Sequence, residues 1–82
     1  QNKEAITYFE RALAIWEKVY GKEHPQVAAA LNNLGAAYFE LGEKVQARLY
    51  FERAYAIKLK FIGPDHPSSK LTQKWLDLCP GE

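Results

Sequence analysis

The sequence predicts an all-α fold, an antiparallel helical-hairpin solenoid of four helices, and three observations carry that prediction. The 82-residue chain repeats itself at an offset of 42: Tyr8-Phe9-Glu10-Arg11-Ala12 returns as Tyr50-Phe51-Glu52-Arg53-Ala54. At the same offset, Ala5, Ala14, Ile15 and Lys18 return as Ala47, Ala56, Ile57 and Lys60, and Gly21-Lys22-Glu23-His24-Pro25 returns as Gly63-Pro64-Asp65-His66-Pro67. Glycine and proline stand at long intervals, in places that suit helix ends rather than strand turns. Between them apolar residues step by three and four, as on one face of a helix.

Each element follows from these signals. The first helix runs over about 2–20 by identity with the third. Gly21 ends it, since glycine takes a left-handed backbone conformation without a Cβ clash. Pro25 suits the first turn of the next helix, where a missing N–H loses no bond. That helix covers about Gln26 to Leu41, with Val27, Leu31, Leu34, Tyr38 and Leu41 as its apolar stripe, and Gly42 stops it. The third covers about Lys44 to Ile62 and buries Ala47, Phe51, Ala54 and Phe61; the first shows the matching stripe Ala5, Phe9, Ala12, Trp16 and Val19. Gly63 and Pro67 repeat the punctuation, and the last helix spans about Ser68 to Cys79 before Pro80-Gly81. With the two helices of the repeating unit labelled A and B, the order is B-A-B-A. Residues 2–20 are then the B helix of a truncated repeat, 26–62 a complete repeat and 68–79 a closing helix, all in one unit over 1–82. Gln1 aligns with Glu43 and the chain has no Met, so the expectation is a fragment from the tail of a longer array. Gly35 inside a helix costs about 1 kcal/mol relative to Ala, and close helix contact is expected to offset it.

Composition narrows the function. With 48% apolar and 26% charged residues, the chain is too apolar for a disordered tail. A net charge of +1 gives no basic surplus for nucleic acid. No apolar run approaches a membrane span, and no signal-peptide pattern is present, so no membrane role and a cytoplasmic location are expected. The lone Cys79 has no neighbouring His to make it a nucleophile. His24 and His66 occupy equivalent connectors and are read as helix-start residues, too far apart to share a metal. Glu10-Arg11 and Glu52-Arg53 suit a solvated face or an ion pair between repeats, while Glu4, Glu17, Glu40 and Glu43 fall on outward positions. The glycines stand singly, so no phosphate loop exists. No catalytic residue, no metal and no cofactor is expected.

Leu31-x2-Leu34-Gly35-x2-Tyr38 followed by Ala47-x3-Phe51-x2-Ala54 resembles the signature of the tetratricopeptide repeat (TPR) family. The 42-residue spacing, the Leu31-Asn32-Asn33-Leu34 run and the Gly-x-x-His-Pro connector are similar to the longer variety found in kinesin light chains and many bacterial arrays. The resemblance implies a right-handed superhelix and a scaffold or adaptor for proteins. Two departures stand out: Asp77 replaces Gly35, and Pro80 replaces Tyr38, in the last helix.

The first helices of such hairpins line the concave side. The expected peptide groove comprises Ala29, Asn32, Asn33, Ala36, Phe39 and Glu40, joined by Lys74 and Trp75 from the last helix. Asn33 falls where the resemblance implies a clamp asparagine. Trp75 reads as an apolar ligand contact or as a packing residue. Lys74 is the one cation at a matching place, so a full carboxylate clamp is not expected. The alternative is self-assembly: Ala5, Phe9, Ala12 and Trp16 lack an outer covering helix in this sequence, which predicts a homodimer or a domain-swapped oligomer.

Overall fold

Two His-Pro steps and three single glycines set the helix limits from the end of the first helix to the start of the fourth. In the computed structural model, which describes residues 3–79, these signals bound α1 (Lys3–Tyr20), α2 (Pro25–Glu40), α3 (Lys44–Phe61) and α4 (Pro67–Leu78). Gly21 and Gly63 take φ of +87° and +79°, which explains why the chain leaves α1 and α3 where it does. At each start the histidine side chain is the cap: Nδ1 of His24 accepts from the Gln26 N–H, and Nδ1 of His66 from the Ser68 N–H, both at 3.0 Å. The ring nitrogen thus does the work of the usual cap oxygen, and Pro25 and Pro67 open the helices that follow. His66→Ala should therefore cost about 1 kcal/mol, read by urea unfolding, while His66→Asn should restore it. Equal midpoints for the Ala and Asn variants would refute the cap. The expected helix start at Asn2 and the Pro80-Gly81 stop lie outside the described residues.

Each helix packs chiefly on its neighbours in the chain, with α2 and α3 sharing the largest seam. The main core gathers Ile6 and Leu13 of α1, Val27, Leu31 and Leu34 of α2, and Ile57 of α3. A second cluster joins Ala47 and Phe51 of α3 to Leu76 and Cys79 of α4. Gly35 faces Phe51, whose ring comes within 2.7 Å of the point where a Cβ would stand. Helix approach is what Gly35 permits, as its sequence position implied. The seams carry polar ties as well. The Tyr38 hydroxyl donates to Glu10 at 3.0 Å, and burial together with that carboxylate pushes its pKa up to about 12. Arg53 pairs with Glu17 at 2.6 Å and Lys60 with Glu23 at 2.6 Å. Arg48 reaches from α3 to the carbonyls of Leu76 and Cys79, at 3.1 and 3.0 Å, and so closes the C-terminus of α4.

The stripes need correction in three places. The buried face of α1 centres on Ile6 and Leu13, with Phe9 and Trp16 half-buried beside it. Val19, Leu41 and Phe61 are exposed at 63%, 40% and 51%, each lying in the last turn of its own helix or just past it. Glu17 is not a free outward carboxylate; it is the partner of Arg53.

Candidate functional site

The surface of α2 that its neighbours leave open is flanked by two hollows. Toward α4 lies a hollow of about 260 Å³, lined by Ala29 and Asn32 of α2, Ile57, Lys58 and Phe61 of α3, and Ser68 of α4. Toward α1 lies one of about 280 Å³, lined by Phe9, Ala12 and Trp16 of α1 with Gln26, Ala29 and Asn33 of α2. Their cause is the residue pattern of α2. Ala28, Leu31 and Leu34 turn inward and are buried, so the exposed face falls to the small Ala29 and the two amides. Ala29 lines both hollows.

The predicted groove residues therefore divide into groups. Asn32 opens on the α4 side and Asn33 on the α1 side. Phe39 and Trp75 meet edge to face at 5.2 Å, and Trp75 also stacks on the buried Phe51 at 5.2 Å and 13°. Trp75 thus packs on both α2 and α3 while staying half-buried. Ala36 and Phe39 pack against the same cluster, with the Lys44 ammonium 5.3 Å from the Phe39 ring centre. Glu40 and Lys74 are exposed and line neither hollow.

The four self-association candidates stay together on α1. Phe9, Ala12 and Trp16 line the α1-side hollow, and Ala5 is half-buried one turn earlier. Trp16 stacks on Tyr20, which stacks on His24, at 5.5 and 4.3 Å. This aromatic run braces the α1–α2 connector.

Sequence reasoning missed Lys58. It is a charged residue with only 9% exposure. Its Nζ donates to Thr72 Oγ1 at 2.7 Å and to the Ser68 carbonyl at 3.4 Å, and burial holds its pKa below the ordinary lysine value. A signal existed in the repeat itself. Lys58 stands where Trp16 stands one unit earlier, and Thr72 stands where Ala30 does.

Other chemistry finds little footing. Cys79 is buried, which pushes its thiol up and away from the thiolate a nucleophile needs. Among the described residues no group of three or more His, Cys, Asp and Glu side chains is placed to hold a metal ion. No described helix is long and apolar enough to cross a membrane. A family model described as a tetratricopeptide repeat matches residues 1–60. No curated protein matches the chain.

Proposed function

The chain belongs to the tetratricopeptide repeat family, whose members are in general protein–protein interaction modules, and from that premise we propose that α2 and its flanking hollows receive an extended peptide of a partner protein. The observation that carries this reading is the place of Ala29 between the two hollows. A peptide laid across α2 at this small residue meets Asn32 on one side and Asn33 on the other. Each amide offers donors and an acceptor, so it pairs with peptide backbone without demanding one side chain. Ala36 and Phe39 extend the surface toward the C-terminal end of α2, where Glu40 and Lys74 add charge of both signs. Catalysis has no part in this reading.

The test is selection of peptides from a random displayed library, followed by titration of a selected peptide into the parent and Asn32→Ala. The variant should bind about tenfold more weakly, the loss of one or two well-placed hydrogen bonds, with an unchanged helical circular dichroism spectrum. Unchanged affinity would remove α2 from the site.

A specific observation also favours self-association. Phe9 and Phe51 are equivalent in the repeat, yet Phe51 is sealed under Gly35 while Phe9 borders an open hollow. A helix from a second copy fits that vacancy in the way α2 fits Phe51. A folded monomer by light scattering at high micromolar concentration would dismiss this reading. Asn33 lines the same hollow as Phe9, so replacing it bears on both readings, whereas Asn32→Ala discriminates them.

A further inference from the structure

Lys58 presents a physical problem. A buried ammonium keeps its charge only at a cost unless an anion or several acceptors attend it. Here the attendants are a hydroxyl and one carbonyl, the latter at 3.4 Å. The ion pairs among the described residues join Arg48 to Glu52, Arg53 to Glu17 and Lys60 to Glu23, and none includes Lys58.

Internal comparison shows how specific the arrangement is. One repeat earlier the same seat holds Trp16, opposite Ala30 and Gln26; in the second it holds Lys58, opposite Thr72 and Ser68. A large apolar side chain has given way to a cation, and the facing alanine to a hydroxyl that holds it. The Thr72 hydroxyl lies 3.4 Å from Asn32 Oδ1, so the polar chain Lys58–Thr72–Asn32 joins α3, α4 and α2. The single Thr72 hydroxyl proton is shared between Asn32 Oδ1 and the Ser68 carbonyl at 3.3 Å, and the Asn32 amino group is left for a ligand. Lys58 and Asn32 both line the α4-side hollow, whose other walls are largely apolar: Ala28, Ala29, Ile57, Phe61 and Ile62. A hollow with apolar walls, a cation lacking a carboxylate and an adjacent amide donor complements one kind of group, a carboxylate on a short aliphatic stem.

We propose that Lys58 and Asn32 together bind one carboxylate of the peptide received at α2. The inference rests on the peptide reading above and adds the charge of the ligand at one position. The site differs from a row of cations along successive first helices, because its cation comes from α3, the second helix of the repeat. The carboxylate comes either from a glutamate side chain or from a peptide C-terminus.

The test uses the whole chain, labelled with 15N, and three defined probes. These are acetylated, amidated Ala-Leu-Glu-Leu-Ala, its Gln counterpart, and the Gln peptide with a free C-terminus. The Glu peptide or the free-ended peptide should bind about tenfold more tightly than the amidated Gln peptide, with shifts at the Ala29, Asn32 and Ser68 amides. Which of the two gains identifies the source of the carboxylate. Lys58→Met should bring all three probes to the weaker affinity. Equal affinities for all three on the parent chain overturn the carboxylate site and leave the peptide reading standing. A preference that survives Lys58→Met also overturns it. No shift at these amides with any probe at ten millimolar overturns both readings. The comparison on the parent chain decides the matter even if Lys58→Met fails to fold.

Discussion

Phe51→Ala should cost about 3–5 kcal/mol of folding stability, the usual cost of deleting a buried aromatic ring. Phe51 has 0% exposure and is held on two sides, by Gly35 of α2 and by the stacked indole of Trp75 from α4. Removing it opens a void where three helices converge, and rigid helix backbones cannot close on such a void. Domains of this kind have about 5–15 kcal/mol in total, so the variant should lose a large share of its stability. Urea unfolding followed by circular dichroism measures the loss. Phe9→Ala is the internal control: it is the same residue one repeat earlier, half-buried beside a hollow, and it should cost less than half as much. Equal losses would mean that burial is not the source of the effect.

Gly35→Ala should destabilise the protein by about 1–2 kcal/mol, although alanine is the better helix former. Helix propensity favours alanine by about 1 kcal/mol, and overpacking a filled core costs about 1–3 kcal/mol. Overpacking should win here because three atoms of the Phe51 ring lie 2.7–2.8 Å from the new methyl position. The ring cannot swing aside, since Trp75 stacks behind it at 5.2 Å. Phe51→Leu trims the ring, so the double variant should lose less than the two single losses added together. Thermal or urea unfolding of the three proteins tests this. A more stable Gly35→Ala protein would show that the α2–α3 seam has slack.

Much of the fold was legible in the sequence because its signals are local. A glycine at positive φ and a proline at a helix start act on their own backbone, and the repeat states each twice. Gly35 was legible for a related reason: a glycine inside a helix needs a neighbour to justify it, and Phe51 is that neighbour. The centre of the α1 face was harder to read. The repeat marks Ala5 and Ala12, which lie to one side of Ile6 and Leu13, the residues that pack with α2 in the core. Stripe ends at Val19, Leu41 and Phe61 failed because an apolar period does not show that the last turn of a helix lies open. Lys58 was hidden for the opposite reason to Gly35. Its meaning depends on Thr72 and Asn32, 14 residues later and 26 earlier, and no local rule joins the three.

The Arg48 guanidinium bears on the order in which the chain comes apart. A helix ordinarily frays from its ends, one turn at a time. Here the last carbonyls of α4 are held by a side chain near the start of α3, 31 residues back, and its first turn is held by His66 and by the bond from Ser69 Oγ to the Gly63 carbonyl. Secured at both ends, α4 has no loose turn from which to unravel. It leaves as a whole or not at all, and its departure uncovers Phe51 and Lys58 in the same event.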